Sequence, residues 1–128
     1  MKIEDFEGAS DSMNDEDIER ALAKRYGEDV NEFWLSHAEG KFPAISILVK
    51  GDIAVLHYFP KDQSPGMTSI GEGVNLEAEG ATIFCINAVD EEQQIPNRMA
   101  VHFSLALIAA KQFFVSKEPP SCINWLAL

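Results

Sequence analysis

The sequence predicts an α+β fold: one domain over residues 1–128, built from a mainly antiparallel meander sheet packed with two helices. Three observations carry this. The apolar runs Ala44–Lys50 and Ile53–Phe59 flank Gly51-Asp52, the pattern of a tight hairpin. Residues 14–27 repeat apolar side chains at helical spacing. Residues 104–115 are apolar at nearly every position, as a helix laid against a sheet would be. A chain of 128 residues is long enough for one core.

Taken in order, residues 1–12 read as a flexible acidic N-terminal segment. In "NDEDIERALAKRYG", Asn14 suits an N-cap, and Asp15, Glu16 and Asp17 suit the positive end of the helix dipole. Ile18, Ala21, Leu22 and Tyr26 form the apolar stripe, and Gly27 is placed to end the helix. "EFWLSH", "AISILVK" and "IAVLHYF" then read as three meander strands, with turns at Glu39-Gly40 and Gly51-Asp52. A two-residue turn at Gly51-Asp52 sets Lys50 opposite Ile53, Ser46 opposite His57 and Ile47 opposite Leu56. Ile45, Ile47, Val49, Ala54, Leu56 and Tyr58 then share a core side. The other side, which includes Leu48, Val55, His57 and Phe59, is apolar enough to need partial cover.

Residues 61–73, "KDQSPGMTSIGEG", read as a long irregular loop, and loops of that length in a small domain often carry function. "ATIFCINA" and "RMAVHF" read as further strands. "SLALIAAKQFFV" is the second helix, Pro119-Pro120 close that region, and "CINWLAL" ends the chain as a short strand or extended tail.

The net charge is −11, so the surface repels nucleic acid and anionic membranes and attracts a basic partner. The acids are unevenly placed. From Asp62 to Glu92 there are seven and no Lys or Arg. Met67 and Ile70 lie in that stretch without a strand or helix period to bury them. With Asp62 and Glu72 as rim they suit the centre of an interface, and Glu77 and Glu79 suit electrostatic steering. Phe59 and Trp125 complete the expected partner-binding set. Trp34 reads as core or rim packing. No stretch nears the roughly 18 apolar residues of a membrane span. "MKIEDFEGAS" lacks the apolar centre of a signal peptide, and two cysteines without one suit a reducing, cytoplasmic location.

Chemistry finds little support. His37-Ala38-Glu39 matches half of the zinc deaminase signature, but the Pro-Cys-x-x-Cys half is absent. His37, His57 and His102 lack metal-ligand spacing. Cys85 lies in the apolar run 83–86, where a thiol is inert, so pairing it with His57 as a nucleophile is unattractive. Neither a catalytic residue nor a cofactor or metal site is expected.

"FPAISILVKGDIAVLHYFP", "GMTSIGEG", "AAKQFF", "KEPP" and the late tryptophan together resemble a family. It is the bacterial immunity proteins that neutralise deaminase toxins of polymorphic-toxin systems. The similarity is to the DddI-like group, which guards against double-stranded-DNA cytosine deaminases, and it spans roughly residues 30–128. The resemblance implies an α+β domain that binds its cognate secreted toxin, blocks the toxin's active site and protects the producing cell. Trp125 occupies the position of the family's tryptophan. An effector-binding chaperone or adaptor is the alternative function, and a small enzyme using His57 or Cys85 is a third.

Overall fold

The computed structural model describes residues 1–37, 40–71, 74, 76–77 and 79–128. Among them the chain forms an eight-stranded antiparallel sheet, a separate two-stranded hairpin and two α-helices. The strands are β1 Lys2–Asp5, β2 Gly8–Asp11, β3 Val30–Ser36, β4 Ala44–Lys50, β5 Ile53–Phe59, β6 Met67–Ile70, β7 Ala81–Cys85, β8 Glu92–Pro96, β9 Val101–His102 and β10 Asn124–Ala127. The helices are α1 Asp15–Leu22 and α2 Phe103–Ser116. The main sheet runs β10-β6-β5-β4-β3-β1-β2, and β9 pairs with the end of β5 that β6 leaves free.

The predicted hairpin register holds along its length: Lys50 opposes Ile53, Ile47 opposes Leu56 and Ser46 opposes His57. The predicted core side holds too. Ile45, Ile47, Val49, Ala54, Leu56 and Tyr58 pack with Phe33 and Leu35 beneath both helices, which contribute Ile18, Leu22, Ala106 and Phe113. The second face receives its cover from β7 and β8, whose Phe84 joins Leu48, Val55 and Ala100 in a smaller cluster. The result is three layers, with helices on one face of the sheet and a hairpin on part of the other.

Several expectations are corrected. Residues 1–12 are a β-hairpin rather than a flexible segment: β1 pairs with β3, and Met1 and Ile3 are buried in the main core. The N-terminal ammonium donates to Ser12 O at 2.9 Å, closing the hairpin ends. Helix α1 stops at Leu22, short of Tyr26. Arg25 Nη1 donates to the Leu22 carbonyl and Asn31 Nδ2 to the Lys24 carbonyl, so the chain turns here. Tyr26 instead pairs with Val30. Asn14 caps the helix as predicted, accepting from the Asp17 N–H at 2.9 Å.

Within 61–73, Met67–Ile70 is a strand, not irregular loop. Its two serine and threonine hydroxyls bond into the sheet: the Leu56 N–H donates to Ser69 Oγ, which donates to Met99 O at 2.6 Å. That buried polar pairing hides the strand from a reading based on apolar alternation. Met67 points inward and packs against the main core. Residues 98–103 were expected as one strand; they hold a 3₁₀ turn at Asn97–Met99, the two-residue β9 and the start of α2. Helix α2 is not buried all round, for Val115 is 83% exposed. Ala38, Glu39, Glu72 and Gly73 lie outside the described residues, and with them the expected turn at Glu39-Gly40 and part of the expected rim.

Candidate functional site

The sheet face opposite the helices divides in two. Row by row, β7 and β8 cover the line through Glu32, Leu48 and Val55. The next line crosses Glu4, Trp34, Ser46, His57, Thr68 and Leu126 on six adjacent strands. Here Trp34, at 37% exposure, and Leu126 reach solvent.

Small residues shape this half. β3 and β5 are separated by β4, about 9–10 Å in all at the usual strand spacing. Between them β4 presents only Ser46 and Ala44, so Trp34 and Phe59 meet across the gap. Their rings lie 5.6 Å apart and 22° from parallel. Phe59 also stacks on His57 at 4.2 Å and 6°. The three rings form one continuous layer across three strands.

The layer is held from both ends. His57 Nε2 lies 2.9 Å from the Pro65 carbonyl; a carbonyl only accepts, so this nitrogen carries the proton. Gly66, at φ 72°, brings the loop so close that a Cβ there would sit 2.3 Å from Tyr58 O and within 3.3 Å of the Phe59 and His57 rings. At the other end, Trp34 shares its strand and face with Glu32. Burial pushes the Glu32 carboxyl up from its ordinary value, opposed by hydrogen bonds from the Asn87 N–H and the Trp34 indole. Next to Trp34 an open cleft of ≈ 420 Å³ continues the apolar surface towards Phe42, with Ser36, His37 and Lys41 on its walls.

Of the residues expected to bind a partner, Phe59 lies in this layer. Ile70 is exposed on the same face at the end of β6, and Asp62 is exposed in the loop before it. Glu77 and Glu79 are exposed on the approach to β7. Met67 and Trp125 belong to the opposite side. Trp125 packs against the main core, 6.2 Å from the Tyr58 ring, and donates its indole N–H to Pro120 O at 3.0 Å, so it anchors the tail. Sequence reading missed Trp34. Its signal was present in the pleat: Trp34 falls on the Ser46 and His57 side once the register is drawn.

The histidines stand in three separate settings. His37 Nε2 lies 3.1 Å from Phe113 O, His57 is in the ring layer, and His102 is exposed on β9. The Cys85 thiol is pushed up chiefly by burial, which keeps it protonated and unreactive.

No family model matches the chain. It is, however, similar along its whole length to the double-stranded DNA deaminase immunity protein of Burkholderia cenocepacia (strain H111). The two are 30% identical over 128 residues, which is all of this chain and all of that protein. The similarity thus reaches beyond residues 30–128 into the N-terminal hairpin and α1, the parts that complete the sheet edge and the core. A match of that identity over the full length of both chains shows the family: this chain belongs to the double-stranded DNA deaminase immunity proteins.

Proposed function

We propose that the chain binds the catalytic domain of a cognate secreted deaminase toxin and blocks its active site, protecting the cell that makes both. It acts in the cytoplasm as a binding protein without chemistry of its own, and needs neither a cofactor nor nucleic acid or membrane as partner. The observation that carries this reading is the Trp34–Phe59–His57 layer. Three rings held in place and facing solvent offer large contact area at low ordering cost, the character of an interface hot spot. Phe59, Ile70 and Asp62 enter as contacts on or beside it, with Glu77 and Glu79 as steering charges.

The family supplies the partner's chemistry. A deaminase that acts on double-stranded DNA must hold a polyanion, which requires a cationic groove. A chain of net charge −11 is drawn to such a groove and competes with DNA for it.

The test has two parts: growth of cells co-expressing the deaminase with this protein, and deamination of a duplex oligonucleotide by the purified deaminase as the protein is added. Rescue of growth and stoichiometric inhibition are expected. A protein that forms a stable complex with the deaminase while deamination continues would instead be an adaptor.

A further inference from the structure

A second feature lies at the other end of the covered face. Between the β7–β8 hairpin and the turn that follows α1 opens a cleft of ≈ 390 Å³. Ile83 and Val89 line it, 38% and 40% exposed. Glu28, Asp90 and Glu92 stand on it as exposed carboxylates, against a single ammonium, Lys50. Among the described residues none of these three carboxylates is in an ion pair.

Two further facts show that the feature is built rather than incidental. The walls touch: Gly27 has φ 51°, and a Cβ there would lie 2.7 Å from Val89 Cγ2, so the turn and the hairpin tip close against each other. The carboxylates also converge in space. Cys85, on the wall and 6% exposed, has its thiol pushed up first by burial and then by Glu92, with smaller contributions from Asp90 and Glu28 and only Lys50 opposing.

Aliphatic walls with a surplus of negative charge suit a side chain with an apolar stem and a cationic head. A metal ion suits them less, because no group of three His, Cys, Asp or Glu among the described residues is placed to hold one. We propose that this cleft is a second contact point for the cognate deaminase and receives an arginine- or lysine-bearing segment of its DNA-handling surface. The proposal rests on the reading that the chain binds that toxin. The stem would lie along Ile83 and Val89, with the head among Glu28, Asp90 and Glu92.

The experiment measures the affinity of the catalytically inactivated deaminase domain for three forms of the full chain. These are the unmodified protein, Glu28→Lys with Glu92→Lys, and Ile83→Ala with Val89→Ala. Each is measured at low and high salt. Charge reversal is expected to weaken binding at least about tenfold at 50 mM salt and less than about threefold at 0.5 M, because exposed charges are screened. The apolar truncation is expected to weaken binding about equally at both salts. If it disturbs the hairpin, the charge-reversed form, altered only at exposed positions, still decides the matter. Tight binding by the unmodified protein, matched by both variants at both salts, overturns the cleft and leaves the proposed function standing. Failure of the unmodified protein to bind overturns both.

Discussion

The backbone N–H of Asn87, in the turn between β7 and β8, donates to Glu32 Oε1 on β3 at 3.1 Å. This bond clamps the hairpin to the sheet. It ends on a buried carboxylate that also accepts from the Trp34 indole, so the clamp and the aromatic layer are linked through Glu32.

Burial of Glu32 makes stability depend on pH in a definite direction. Its folded-state pKa is raised above the ordinary 4.5. The stability it contributes is therefore complete below the unfolded value and is lost as pH rises through the folded one. Glu32→Gln keeps an acceptor for Asn87 but carries no charge. The melting temperature of this variant minus that of the natural protein should grow from pH 4 to pH 7. A difference independent of pH would refute the assignment. Glu32→Ala, which leaves the Asn87 N–H unpaired, should cost about 1–3 kcal/mol.

Trp34→Ala should separate binding from stability. The indole is part of the exposed layer and contributes to neither buried cluster. Toxin affinity should fall by at least about 2 kcal/mol, while stability should fall by no more than the roughly 1 kcal/mol of the indole hydrogen bond to Glu32. Equal affinity by titration calorimetry would remove the layer from the interface.

Met67 and Ile70 sit three positions apart on β6, hence on opposite faces of the sheet, and should behave differently. Met67 packs against the main core, so Met67→Ala should cost about 2 kcal/mol or more of stability and reduce binding only through unfolding. Ile70 is exposed, so Ile70→Ala should leave the denaturant midpoint nearly unchanged and report on contact with the toxin alone. A stability loss confined to Ile70→Ala would reverse this account of the strand.

Gly66→Ala combines a left-handed backbone with an approach of 2.3 Å to Tyr58 O. The loop must move off the His57 and Phe59 rings to accept the methyl group, so the substitution should destabilise by more than about 1 kcal/mol. Urea unfolding would measure it. The histidine ring proton held by Pro65 O should also exchange faster with solvent, and an unchanged exchange rate would mean that the loop had not moved.

Reversing Glu77 and Glu79 to Lys tests steering apart from contact. Both are exposed on the approach to β7. Association with the toxin should slow at low salt, and dissociation should change little, because rim charges act on encounter. Stopped-flow rates that are the same for variant and natural protein at low salt would show that these charges play no part.

The sequence by itself determined the α+β class, the capped first helix, the central hairpin with its register, and the inward set from Ile45 to Tyr58. These follow from local rules: a period-2 or period-3.6 pattern, a cap and a two-residue turn each act over a few residues. The resemblance in "FPAISILVKGDIAVLHYFP" and "AAKQFF" also named the family. Tertiary structure decided what depends on distant partners. Residues 1–12 became a hairpin because β3 offered an edge and the core had room for Met1 and Ile3. Met67–Ile70 became a strand because Leu56 and Met99 satisfy Ser69. Trp34 and Phe59 are 25 positions apart, and only Ser46 and Ala44 between them let the rings meet. The cleft of Glu28, Asp90 and Glu92 required the β7–β8 hairpin to fold over the second face, which local pattern does not encode. Local periodicity records which side of an element is buried. Which half of a sheet face stays open is set by packing between elements far apart in the chain.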